Sequence, residues 1–135
     1  MLCIILVCYS APEGPPLSVS ALPLDSSSLI LTWEPPLLEL RNGIIQQYTI
    51  RITELKSGTV ITVSTEDTSI NVTSLHPHYE YNITVAAETF DVGLFSSPFV
   101  IQLPESCMYK HLRDSKFLPY NMHVYNFYSS FQSSV

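Results

Sequence analysis

Three sets of residues in this chain have types and spacings that could do chemistry. His76 and His78 form an H-x-H pair, followed closely by Tyr79 and Tyr81. In an extended segment both rings would leave one side of the backbone and could start a zinc site, which needs a third and usually a fourth ligand. The remaining candidates, Cys107, His111 and His123, lie in a stretch with no ligand spacing, so no metal is expected. Cys107 and Arg113 have the C-x5-R spacing of a thiolate nucleophile loop that binds phosphate. Such a loop needs small residues whose N–H groups converge on the anion. The five residues between are bulky, and none is glycine. No catalytic residue is therefore assigned. Asn71-Val72-Thr73 and Asn82-Ile83-Thr84 are N-glycosylation sequons, short motifs that depend on their structural setting.

The elements that must position these residues follow a period of two. "SLILTW" puts Leu29, Leu31 and Trp33 on one face, and "YTIRI" does the same for Tyr48, Ile50 and Ile52. Val60 and Ile61 in "TVITV", and Ile70 and Val72 in "SINV", continue the series. "YEYNITVAA" aligns Tyr79, Tyr81, Ile83, Val85 and Ala87, and "FVIQL" aligns Phe99, Ile101 and Leu103. Alternation marks half-buried strands, because successive side chains leave opposite faces of a pleated chain. Breaks fall at Pro35-Pro36, Asn42-Gly43, Ser57-Gly58, Pro77 and Gly93, where the backbone cannot extend a ladder or can take positive φ. Seven short strands without helical periodicity predict an all-β, immunoglobulin-like sandwich with flexible extensions at both ends. By the pleat, Asn71 and Asn82 face solvent.

Composition bounds the function. The chain has 135 residues and a net charge of −6, with a pI near 5.0, which argues against nucleic-acid binding. Three of its six basic residues, Lys110, Arg113 and Lys116, follow Cys107, so the body is more acidic than the total suggests. Cys3, Cys8 and Cys107 make neither a disulfide framework nor a zinc pattern. Leu2–Val7 is apolar but far short of a membrane span, which takes about 20 residues. It fits a short signal peptide with a cleavage site near Ala11, although no Lys or Arg precedes it; the other reading is an arbitrary start.

The order of several features resembles a fibronectin type III domain. Pro15-Pro16 opens the first strand, and Trp33 ends the second before "EPP". Asn42-Gly43 precedes "IIQQYTI", and Leu75-x-Pro77-x-x-x-Tyr81 precedes the sixth strand. Gly93 and Ser97-Pro98 come before the last strand. The resemblance extends from Pro12 to about Pro104 and is strongest to repeats of receptor-type tyrosine phosphatases and cell-adhesion receptors. It implies a domain over 12–105, after an apolar leader or truncated start (1–11) and before a non-homologous, disordered tail (106–135). It makes Tyr81 the corner tyrosine, bonded to a backbone group a few residues upstream, and puts Trp33, Tyr48, Ile50, Leu75, Tyr81, Ile83 and Val85 in the core.

The same resemblance implies a non-catalytic extracellular adhesion, ligand-binding or spacer module with no cofactor. Its expected partners are proteins at the cell surface and neighbouring repeats of a longer receptor, of which this chain would be a fragment or truncated product. A secreted single-domain decoy and an intracellular scaffold domain are the alternatives. The expected contact loop is Phe90 to Phe95, with Phe90, Asp91, Leu94 and Phe95 as candidates. Against that stands the simpler expectation that Phe90 or Leu94 folds back onto the core.

Overall fold

A computed structural model describes residues 10–105. Leu2–Val7, the C-x5-R string and the rest of 106–135 lie outside the described residues. The alternating runs become strands β1 (Leu17–Pro23), β2 (Leu29–Glu34), β3 (Gln47–Glu54), β4 (Val60–Thr65), β5 (Ser69–Val72), β6 (Glu80–Glu88), β7 (Val92–Phe95) and β8 (Phe99–Gln102). One 3-10 turn, Leu38–Leu40, lies between β2 and β3. The strands form two antiparallel sheets: β1-β2-β5, and β4-β3-β6 with β7 and β8 both on the far edge of β6. Among the described residues no helix is long and apolar enough to cross a membrane.

The inward faces of the two sheets meet in one core. Leu29, Leu31 and Trp33 from β2 face Tyr48, Ile50 and Ile52 from β3 and Tyr81, Ile83, Val85 and Ala87 from β6. Leu75 and Leu103 complete it from the segments that follow β5 and β8. Trp33 and Tyr48 meet edge to face, with ring centroids 5.4 Å apart, a geometry the ring quadrupoles favour. Val60 and Ile61 stay exposed because β4 is an edge strand; its contribution to the core is Val63.

There are eight strands rather than seven, and the additional one is instructive. Val92–Phe95, expected as loop, pairs with the end of β6, and β8 pairs with its beginning. Between the pairs Ala86↔Phe95 and Ile83↔Phe99, β6 advances three residues while its partner advances four. One additional residue has been accommodated, as in a β-bulge. Pro98 has no N–H for a ladder. Ser96 repairs the gap: its N–H donates to Val85 O at 2.8 Å, and its hydroxyl accepts from Val85 N–H at 3.1 Å. The hydroxyl stands where a ladder carbonyl would otherwise be, which explains a buried serine at a sheet edge.

Across the outer face of β6, Arg51 from β3 reaches to Phe95 from β7, with its guanidinium 4.2 Å from the ring centroid. The partners of these residues on β6 are Thr84 and Ala86. Side chains two strands apart can meet only by passing over the strand between. Their meeting covers Ala86, which is fully buried although its side chain leaves the face opposite the core.

Candidate interaction surface

The two poles of the sandwich are held differently. At the pole where the chain leaves β8, the turn before β6 is built around a phenol. Ser74 and His78 take positive φ, 63° and 66°, so the segment cannot be extended and the H-x-H rings part. His76 N–H donates to the Tyr81 hydroxyl at 2.7 Å. The phenol oxygen has two acceptors in reach of its own proton, His76 O at 3.4 Å and Glu54 Oε2 at 3.5 Å. His76 Nδ1 is 2.7 Å from that same carboxylate oxygen, while His78 is directed to Glu105 at 3.5 Å.

Glu54 is 7% exposed. The hydrogen bond from His76 holds its carboxyl below the usual glutamate value, against the opposing effect of burial. Burial raises the Tyr81 phenol, and the His76 backbone bond opposes that. Lys56 lies over the Tyr79 ring, 4.6 Å from its centroid, and that ring meets His76 at a tilt of 54° with centroids 5.3 Å apart. Sequence reasoning missed Glu54, yet a signal was present. Tyr48, Ile50, Ile52 and Glu54 share one parity on β3, so a carboxylate at that position is directed inward. These groups bond one another and the turn backbone, an arrangement that shapes a corner. The open depression beside them, lined by Leu55, Lys56, His78, Tyr79, Glu80 and Gln102, has no buried group aimed into it.

At the opposite pole the incoming strap Ser10–Gly14 is clamped between two loops. Glu13 N–H and Gly14 N–H both donate to Leu40 O, and Asn42 Nδ2 donates to Ala11 O at 3.1 Å. On the other side the Thr89 hydroxyl donates to Ser10 O at 2.9 Å, and Gly93 lies so close that an added Cβ would meet Pro12 O at 2.7 Å. Gln46 N–H donates to Glu88 O, joining the β2–β3 loop to the end of β6. Neither Phe90 nor Leu94 folds back: they are 75% and 58% exposed. Leu38 and Ile44, on the facing loop, are 78% and 82% exposed. Phe95 instead is half-buried under Arg51, and Asp91 sits exposed at the tip of the turn.

The same pole is acidic. Glu13, Glu39 and Asp91 belong to the strap and the two loops, and Glu66 and Asp67 to the β4–β5 turn, which Trp33 N–H ties in through Thr68 O. Among the described residues Arg41 is the basic one at this pole, and its Nε donates to Pro36 O at 2.8 Å. Exposed aliphatic and aromatic side chains within a polar rim are the usual anatomy of a protein contact site.

The sequons also diverge. Asn71 lies on edge strand β5 and is exposed, whereas Asn82 lies on β6 between Thr53 and Val100 and is half-buried, with its Oδ1 enclosed. Among the described residues, no three His, Cys, Asp or Glu side chains are close enough to hold a metal.

Comparison with known proteins agrees with this architecture. Receptor-type tyrosine-protein phosphatase F of Danio rerio is 37% identical over 89 residues, covering 66% of this chain and 5% of that protein. Cell adhesion molecule Dscam2 of Drosophila melanogaster is 51% identical over 47 residues, covering 35% of this chain and 2% of its own length. The crystal structure of the FN5 domain of Drosophila Lar superposes with a TM-score of 0.58 at 34% identity, covering 68% of this chain and 97% of that domain. The chain thus spans a small part of the curated relatives it matches, and what it shares with the phosphatases is a non-catalytic domain. The family model described as "Fibronectin type III domain" matches residues 12–102, and the chain belongs to that family.

Proposed function

We propose that this chain is a non-catalytic, extracellular protein-binding module of a multi-repeat cell-surface receptor, with its domain spanning 12–105 and its contact site at the pole where Ser10 enters. The observation that carries this reading is the exposure of Leu38, Ile44 and Phe90 on loops clamped to one strap. Solvent-facing apolar side chains on ordered backbone cost little to dock, because their loops are already fixed. The partner is a protein surface with apolar contacts and a basic rim, chosen by the acids around this pole. A neighbouring repeat or a second receptor can supply such a surface.

The test has two arms. The full chain is expressed in animal cells and sought in medium and lysate; the reading expects it in the medium. A wholly intracellular product favours the scaffold alternative. Multimerised full chain is then applied to a panel of animal cell surfaces. Leu38→Ser combined with Ile44→Ser and Phe90→Ser is expected to abolish binding, and binding by the parent should weaken as salt rises from about 0.05 to 0.5 M. Equal binding by parent and variant would move the contact site elsewhere.

A further inference from the structure

We infer that Asn71, and not Asn82, carries the glycan of this domain, and that the glycan shields the outer face and free edge of the β1-β2-β5 sheet. The inference rests on the extracellular reading above, because N-glycans are added only in the secretory pathway. The two sequons look alike in sequence, and their surroundings separate them.

Among the described residues β5 pairs with β2 on one side only. Its other edge presents unpaired backbone groups, which is where foreign strands add. Val72 points into the core, so Asn71 and Thr73 on either side of it point outward, and both are exposed. Among the described residues no strand lies beyond β5 in its sheet, and Asn71 is exposed there, so a branched sugar can leave from its side chain. Asn82 is in the opposite position. It sits on the most enclosed strand, with Thr53 directly across on β3 and Val100 directly across on β8. Side chains directly opposite in antiparallel pairs have Cβ atoms about 4.5–5.5 Å apart. A sugar on Asn82 would have to rise between them, and the half-buried asparagine has already enclosed its Oδ1.

The ladder also shows what the Asn71 glycan would cover. Asn71 pairs with Ile30, and Ile30 pairs with Leu22, so these three form one row across the outer face. Leu22 is 63% exposed and Ile30 is half-buried. The first sugar, rooted one strand away from Ile30, lies over an apolar row beside an open edge.

The full chain is placed behind an independent cleavable secretion leader and expressed in animal cells, so that export does not depend on its own first residues. Intact mass with and without a deglycosidase counts the glycans. One glycan is expected, absent from Asn71→Gln and from Thr73→Ala, and retained in Asn82→Gln. A secreted protein with no glycan, or with its glycan on Asn82, overturns the assignment while leaving the extracellular reading intact. That reading is judged separately by where the chain goes with its own start. Sedimentation then tests the shield: Asn71→Gln should self-associate at concentrations where the glycosylated parent is monomeric. An Asn71→Gln protein that stays monomeric rejects the shielding role.

Discussion

At the pole where β8 ends, Glu54, His76 and Tyr81 satisfy one another and the turn backbone. At the pole where the strap enters, Leu38, Ile44 and Phe90 are largely exposed on loops held by main-chain bonds. Both poles are closed by the same two sheets. The difference is where side-chain energy is committed: inward at the corner, where removing a group leaves a buried partner without its bond, and outward at the strap, where removing a group leaves the backbone clamps untouched. Stability should therefore be sensitive to changes at the first pole, and binding at the second.

The largest expected contrast sets Leu75→Ala against Phe90→Ala in urea unfolding. Leu75 is buried among both sheets at the corner, and truncation should cost about 2–5 kcal/mol through lost burial and a cavity. Phe90 is exposed, and its truncation should stay within about 0.5 kcal/mol of the parent. Equal costs would break the distinction between the poles.

Tyr81→Phe is the next test. It keeps the ring and deprives His76 N–H of its acceptor, at about 1–3 kcal/mol. A neutral result would mean that water replaces the phenol. Gly93→Ala probes the strap, since the new Cβ would press on backbone oxygens of Pro12 and Ala87. A loss of about 1–3 kcal/mol is expected, with faster amide exchange at Glu13 and Gly14. Loss of stability without that local exchange would place the strain elsewhere.

The smallest effect is in acid. Glu54 and Asp25, the latter through hydrogen bonds from Ser28 and Ser27, have folded pKa values below their ordinary ones. A depressed carboxyl contributes stability that is complete above its unfolded value and lost as pH falls through the folded one. Thermal melts should therefore decline below about pH 4.5, and Glu54→Gln should flatten the decline. A parallel slope in the variant would assign the acid sensitivity to other groups.

How much of this was legible in the sequence differs by region. The period-two runs identify Leu29, Leu31 and Trp33 as a single face because the pleat is local. The same parity on β3 points Glu54 inward, yet a charged residue at the end of an apolar series is easily read as the start of a turn. "VGLF" was harder to recognise as a strand. It is short, contains a glycine, and is a strand only because β6 lies beside it. The break before β8 was signalled by Ser97-Pro98, but the repair by Ser96 was not, since it depends on a bond to Val85, eleven residues earlier.

The sequence by itself determined which apolar side chains turn inward along β2, β3 and β6 and where most of the turns fall. Those choices follow from backbone geometry and from proline and glycine within a few residues. The tertiary structure alone decided that His76 meets Glu54, that the strap lies between two distant loops, that β5 is the edge of its sheet among the described residues, and that Phe90 stays exposed while Phe95 is covered by Arg51. Each of these depends on pairing between segments far apart in the chain, and local alternation carries no information about which strand will be its neighbour.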